Sequence, residues 1–278
     1  MRIDQLLVRR NMAGTRSQAQ RLIADGVEWL QGEAWKRIAK NGDEVPDAAQ
    51  IRLLNDAQAR YVSRGGLKLA HALQVLGLDV TGMHCLDVGQ STGGFTDCLL
   101  QHRAAFVTGV DVGSAQLHPQ LRTDPRVLCV ENVNARNLQS DDLRNACAAS
   151  KGSDALFAHE SPDGGAAETP SAPHAGPFDL IVVDLSFISQ TLVLPALVPL
   201  LKPGGTLLSL AKPQFELQPG QVGKGGIVKD ATHYVFVEQR LREACAALGL
   251  TVTAWFDSPL QGGDGNHEFF ICARKPVA

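Results

Sequence analysis

The sequence predicts an α/β protein: a mostly parallel sheet covered by helices on both faces, preceded by a small α+β unit. Three observations carry this. From about residue 62 onward, short runs rich in Val, Ile and Leu alternate with stretches of helical periodicity, the pattern of successive βα units. The first of those runs, CLDVG, ends in a glycine turn from which a helix opens. Before it, residues 1–55 follow a different rule, with two short amphipathic helices and then β-like pieces divided by Gly32 and Asn41-Gly42-Asp43. A chain of 278 residues with 44% hydrophobic content is long enough to give a medium and a small domain a core each.

Taken in order, Ile3, Leu6 and Leu7 form one apolar stripe. Gly14 breaks the chain and Thr15 is placed to cap a second helix, in which Ala19, Leu22 and Ile23 recur until Gly26. Arg9, Arg10, Arg16 and Arg21 are left for exposed faces. Strands are predicted over 27–30, 35–38 and 51–54, then a helix over 66–76. In the second part, strands are predicted over 85–89, 105–110, 127–131, 180–184, 206–211, 251–258 and 268–274. Helices are predicted near 94–102, 115–122, 190–201 and 231–248. The last two strands follow one another without a helix, which predicts an antiparallel edge hairpin. Residues 150–176, rich in Ser, Ala, Gly and Pro, are expected to be a flexible insertion. The organisation is therefore a first domain over 1–57, a linker over 58–66 and a main domain over 67–278.

Composition narrows the classes. The six cysteines (85, 98, 129, 147, 245 and 272) are scattered without a C-x-x-C pair, and no His/Cys cluster has metal-ligand spacing, so no metal is expected. No apolar run reaches membrane-spanning length and the N-terminus lacks the apolar core of a signal peptide, so a soluble cytoplasmic protein is expected. The net charge of −3 gives no global sign of nucleic-acid binding. Residues 1–55 nevertheless hold nine Lys/Arg against seven Asp/Glu, a weakly basic unit compatible with RNA.

The chemistry begins at LDVGQSTGGFTDCLL (86–100). A strand feeds a glycine turn, where only glycine lets the backbone approach a ligand closely. Asp111, at the end of the following strand, is 22 residues beyond Gly89, the place from which a carboxylate binds the two hydroxyls of an adenosine ribose. A dinucleotide enzyme would show G-x-G-x-x-G for its pyrophosphate, whereas here Ser91 stands at the second glycine position. An adenosyl sulfonium carrying no phosphate fits better, with a dinucleotide site and a purely structural turn as alternatives. Four ionisable residues then fall on the first helix of the main domain or at strand ends: Lys68, Asp184, Lys212 and Glu268. Methylating a ribose hydroxyl needs a base for its proton. A lysine serves when burial and a neighbouring cation favour its neutral amine. Lys68 would be that cation, with Asp184 and Glu268 orienting the amines.

In that order the four residues resemble the Lys-Asp-Lys-Glu tetrad of the FtsJ-like ribose 2′-O-methyltransferases. More narrowly, the chain is similar to the TlyA family of rRNA methyltransferases, often labelled haemolysins. The matching blocks are YVSRGGLKL (61–69), LDVGQSTGGFTDCLL (86–100), DLSFIS (184–189), KPQFE (212–216), VGKGGIVKD (222–230) and SPLQGGDGNHEF (258–269). RIDQLLVRR and TRSQAQRLIADG match the S-four-type RNA-binding fold.

The resemblance implies a Rossmann-like methyltransferase sheet, S-adenosyl-L-methionine as cofactor and cytidine ribose in ribosomal RNA as substrate, in the small subunit and in some members the large one. It implies Lys212 as the base, assisted by Lys68, Asp184 and Glu268. It implies a donor site of Asp87, Gly89, Ser91, Thr92, Gly93, Gly94 and Asp111, with Asn132 or Asn134 near the adenine, Asp184 beside the donor, and Ser63, Arg64 and Gly65 at the domain junction. RNA phosphates would be met by Arg9, Arg10, Arg16, Arg21 and Arg64.

Two departures stand out: Gln90 where alanine is expected, a long side chain that would crowd or hydrogen-bond the donor, and Lys229 where arginine is expected. The other classes weighed are a binding-only RNA protein, a small-molecule methyltransferase and a membrane-active haemolysin. An intact tetrad speaks against the first and the basic N-terminal unit against the second. The αβ rhythm speaks against the third.

Overall fold

The structure, a computed structural model, describes residues 1–10, 12–54, 60–154 and 176–277. It divides into two compact units, Met1–Leu67 and Lys68–Ala278.

In the first unit, helices α1 (Ile3–Arg9) and α2 (Arg16–Gly26) pack on a three-stranded antiparallel sheet of β1 (Val27–Gln31), β2 (Ala34–Arg37) and β3 (Ile51–Leu53), ordered β2-β1-β3. Ile3, Leu6, Leu7, Leu22 and Val27 are at most 1% exposed and form its core. Thr15 caps α2 by accepting from the Gln18 N–H at 3.2 Å. Beside this core sits a fully buried carboxylate, Asp4, which accepts from Arg2 (3.1 and 3.0 Å) and from Arg16 (2.8 Å).

These guanidinium groups, Arg2 first, hold the Asp4 carboxyl well below the usual carboxylate range against the opposing effect of burial. A depressed carboxylate contributes stability that is present above its unfolded value and lost as pH falls through the folded one. Asp4→Asn is therefore expected to destabilise the unit by about 1–3 kcal/mol at neutral pH. The difference from wild type should shrink in strong acid. Thermal melts across pH check it, and a gap that does not close in acid would contradict the ion-pair account.

The second unit starts within α3 (Arg64–Leu76) and is built on seven strands. These are β4 (His84–Val88), β5 (Phe106–Val110), β6 (Val127–Val130), β7 (Phe178–Val183), β8 (Leu201–Ala211), β9 (Thr251–Asp257) and β10 (Phe269–Arg274), in the order β6-β5-β4-β7-β8-β10-β9. Pairings from β6 to β8 are parallel, while β10 is antiparallel to both β8 and β9. The final hairpin thus closes one edge, as its helix-free connection predicts, with β10 inserted between β8 and β9.

Why these runs are strands shows in their burial. Leu180, Ile181, Val182 and Val183 of β7 are all at most 1% exposed, so both faces are covered and the apolar pattern does not alternate. Ile181, Val183, Leu207 and Ile271 share a core with Leu143 and Cys147 of α6 (Ser140–Asp154) and with Val237 and Leu241 of α9 (Ala231–Ala247). From α4 (Gly94–Gln101), Phe95 stacks on Phe270 with centroids 6.4 Å apart.

Three sequence expectations change. The helix α6 was not anticipated, since its Ala/Ser/Asp-rich sequence merges with the presumed insertion; the helix runs to Asp154, and residues 155–175 of that insertion lie outside the described residues. The helix expected near 115–122 is only α5 (Pro119–Arg122). The one expected over 190–201 is broken into 3₁₀ turns and α7 (Leu194–Leu197), because Pro195 and Pro199 each remove a helical N–H donor.

Candidate functional site

Sheet order reverses between β4 and β7, and the carboxyl ends of both strands meet there. After β4 the chain turns through Gly89 at φ +87°. A Cβ at that position would lie 2.4 Å from the Asp184 carbonyl oxygen, which closes it to every other residue. Gly93, at φ +92°, is the N-cap of α4, and a Cβ there would meet Leu121 Cδ1 at 2.4 Å. Between the glycines the exposed Ser91 gives its N–H to Asp111 Oδ2 at 2.7 Å, while Asp111 Oδ1 accepts from the Gly113 N–H at 2.7 Å. Two backbone donors thus fix the Asp111 carboxylate at the rim of a cleft of ≈ 230 Å³, lined also by Gly89, Val133, Asn134, Leu185 and Phe187.

No Lys or Arg lines this cleft among the described residues, so it offers a pyrophosphate no counter-charge. A ribose with two hydroxyls and an apolar ring suits it. Asn134 lines the cleft and its side chain also caps the turn after it, whereas Asn132 is exposed, at φ +62°, and does not line it. Thr92 is exposed on the loop, Gly94 is buried as the first residue of α4, and Ser63, Arg64 and Gly65 lie in the other unit where α3 begins.

Asp87 and Gln90 depart from the sequence expectation. Asp87 is fully buried beneath the loop, where its Oδ2 accepts from Thr96 Oγ1 at 2.7 Å, and it does not line the cleft. Burial pushes its carboxyl up to about 7 against the Thr96 hydrogen bond, and the charges of Asp184 and Asp111 add to the rise. Gln90 does not line the cleft. Only 3% exposed, it turns under β5 and donates to Thr96 Oγ1 at 2.9 Å, filling the space that a Cβ on Gly109 would occupy. The long polar side chain is accommodated because Gly109 leaves room for it.

The four expected ionisable residues come together as two ion pairs. Lys68 of α3 donates to Glu268 Oε2 at 2.5 Å, both buried. Lys212, at the end of β8, places Nζ 2.7 Å from Asp184 Oδ1 and donates to Ser186 Oγ at 3.0 Å. Asp184 Oδ1 is shut off from water and lacks a well-directed hydrogen bond, so its contact with Lys212 is one of charge. Burial raises the Glu268 carboxyl above its ordinary range. Lys68 and then Lys212 draw it back, and Asp184 adds to the rise. That mutual influence makes the two pairs one electrostatic cluster.

A second cleft of ≈ 430 Å³ opens on this cluster, lined by Lys212 and Glu268 together with Ser186, Phe187, Gln214, Phe215 and Asp264. Ser186 and Phe187 line both clefts, so the two meet at that point. Phe187 was missed from the sequence. It is 91% exposed and sits at φ +65°, a backbone strained for an aromatic residue, with its ring 5.1 Å from that of Phe215. The available signal was a lone aromatic in a short polar loop directly after a strand-terminal aspartate.

In the first unit, the expected exposure of the arginines holds only in part. Arg10 is half-buried and gives its guanidinium to the carbonyls of Asp47 and Ala49. Arg9 pairs with Asp47 at 3.0 Å and Arg16 with Asp4 at 2.8 Å, each side chain keeping about half its surface exposed (49% and 55%). Arg21 is half-buried, and Arg64 is half-buried at the start of α3. Among the described residues no group of three or more His, Cys, Asp or Glu could hold a metal ion, and no helix is long and apolar enough to cross a membrane.

Comparison with known proteins adds to this geometry. The FtsJ-like methyltransferase family matches residues 61–275, and the S4 domain matches residues 1–26. The 16S/23S rRNA (cytidine-2′-O)-methyltransferase TlyA of Mycobacterium tuberculosis (strain ATCC 25618 / H37Rv) is 39% identical over 277 residues, covering 98% of this chain and 89% of its own length. The 23S rRNA (cytidine-2′-O)-methyltransferase TlyA of Campylobacter jejuni is 30% identical over 288 residues, covering 97% of this chain and 98% of its own. The solved structure of a Streptococcus thermophilus protein with a provisional hemolysin name is 35% identical, with a TM-score of 0.69 over 99% of this chain and 88% of its own.

Proposed function

The chain belongs to the FtsJ-like methyltransferase family, and on that premise we propose that it methylates the ribose 2′-hydroxyl of a cytidine in ribosomal RNA, using S-adenosylmethionine. The observation that carries this reading is the junction of the two clefts at Ser186 and Phe187, with Lys212 in hydrogen-bond contact with Ser186. S-adenosylmethionine supplies an electrophilic methyl group on a sulfonium. Asp111 would accept from the ribose hydroxyls of that donor, and the turn at Gly89 would bring backbone against it. Asp87, Thr96 and Gln90 stiffen the loop from below.

Across the junction, the Lys212 amine takes the proton of the acceptor hydroxyl. The ammonium that forms lies against Asp184 at 2.7 Å and Ser186 Oγ at 3.0 Å. The buried Lys68–Glu268 pair keeps a fixed charge balance beside it. Phe187 and Phe215 offer an aromatic surface on which a base turned out of its RNA stacks. The N-terminal unit docks RNA, with Arg9 and Arg16 the more exposed of the five candidate arginines.

Methyl transfer from radiolabelled S-adenosylmethionine is to be measured on 30S and 50S subunits from a strain lacking this gene. Label on a cytidine ribose of either rRNA supports the assignment and identifies the particle. Cofactor binding without label on either subunit would overturn it in favour of a binding-only role. In the same assay Phe187→Ala is expected to raise KM or lower kcat by about tenfold, the worth of roughly one stacked base, with cofactor affinity measured separately because Phe187 also lines the first cleft. Unaltered kinetics would remove Phe187 from the acceptor site.

A further inference from the structure

The acceptor cleft carries a polar wall that the methyl-transfer chemistry leaves unused. Asp264 is exposed on this wall and pinned from behind. Its Oδ1 accepts from the Asn266 N–H at 3.1 Å, and its Oδ2 accepts from Asn266 Nδ2 at 2.9 Å and from Gln214 Nε2 at 3.2 Å. Asn266 is itself 1% exposed and anchored to the neighbouring loop, donating to the Gly226 carbonyl at 2.8 Å and accepting from the Val228 N–H at 2.9 Å. An exposed carboxylate held this firmly presents acceptors and no donor. Gln214 beside it has its Nε2 turned toward Asp264, so the amide orientation is fixed. Among the described residues its Oε1 has no partner and is shielded from water, which leaves the side chain with hydrogen-bonding capacity in reserve.

Cytosine and uracil differ on their pairing edge in one respect that such a wall detects. Cytosine offers an exocyclic amine donor next to a ring acceptor; uracil offers a carbonyl acceptor next to a ring N–H. We propose that Asp264, oriented by Asn266 and paired with Gln214, reads the identity of the target base by accepting from the exocyclic amine of cytosine and repelling the carbonyl of uracil. The second hydrogen of Gln214 Nε2 is then available to the ring acceptor. The same cleft carries the Phe187–Phe215 rings and, at Lys212 and Glu268, the reacting groups, so recognition of the base and activation of its ribose share one enclosure. This inference rests on the proposed RNA methylation and adds to it the reason for a cytidine target.

The test compares kcat/KM of the wild-type protein on ribosomal subunits carrying the target cytidine with that on subunits in which the nucleotide is replaced by uridine. It is repeated with Asp264→Asn and Asp264→Ser. Wild type is expected to favour cytidine, and both variants to lose on the order of ten- to a hundredfold of that preference, the worth of one base-reading contact. Cofactor affinity and melting temperature, measured on each variant, show that the fold persists. Gln214→Glu, which leaves Asp264 in place but brings a second carboxylate beside it, gives an independent reading and is expected to shift the ratio as well. An unchanged cytidine-to-uridine ratio in folded, cofactor-binding variants would overturn the base-reading role while leaving methylation intact. A wild-type protein that labels neither RNA would instead overturn the proposed function itself.

Discussion

Replacing Lys212 by alanine is expected to lower kcat for methyl transfer by about 10²–10⁴-fold, the usual contribution of a positioned general base. Cofactor affinity should be almost unchanged, because Lys212 lines the cleft proposed for the acceptor and not the one proposed for the donor. Lys212→Arg makes the prediction sharper. A guanidinium keeps the charge beside Asp184 but stays protonated at any working pH, so it cannot take the hydroxyl proton. If the arginine variant loses as much activity as the alanine variant, proton transfer is the function that was removed. If it recovers to within a few-fold of wild type, Lys212 acts only as a cation that orients Asp184, and the base must be sought elsewhere. Single-turnover kinetics with saturating cofactor separate this chemical step from RNA binding.

What the sequence made legible follows from how each feature is encoded. The strands could be read because β7 is buried on both faces and carries the uninterrupted run Leu180-Ile181-Val182-Val183, while β4 and β5 are short, mostly buried runs that end at turn residues. The glycine turn could be read because its backbone excludes a Cβ at Gly89. Helix α6 could not, since among its described residues only Leu143 and Cys147 are buried in the core and the rest has the composition of a loop.

Lys68, Asp184, Lys212 and Glu268 were legible as four positions but not as two ion pairs. Strand ends locate Asp184, Lys212 and Glu268 at one edge, yet nothing in their spacing says that Lys68 bonds Glu268 across 200 residues of sequence while Lys212 meets Asp184. Partner choice depends on side-chain directions, which periodicity does not encode. The same limit applies to Arg10 and Arg16. Their charge was visible, but their commitment to the 47–49 backbone and to Asp4 was not.

The Lys68–Glu268 pair allows stability and catalysis to be pulled apart. Lys68→Met leaves Glu268, 4% exposed, without its nearest counter-charge, and removing one partner of a buried ion pair costs about 3–5 kcal/mol. Glu268 already titrates above the ordinary carboxylate range because of burial, and Lys68 is the strongest influence holding it down. Without that lysine the carboxyl rises further. A raised carboxylate makes its stabilising contribution, from proton uptake, below its unfolded value, and loses it as pH climbs through the folded one. The Lys68→Met variant should therefore lie furthest below wild type at neutral pH and recover part of the difference in mild acid, which calorimetric melts at the two conditions would show. Adding Glu268→Gln removes the orphaned charge, so the double variant is expected to regain most of the lost stability at neutral pH. It should remain inactive in methyl transfer, because the charge balance around Lys212 and Asp184 is not restored. Recovery of activity together with stability would show that the pair only holds α3 to the sheet. Recovery of stability alone assigns it to the chemistry.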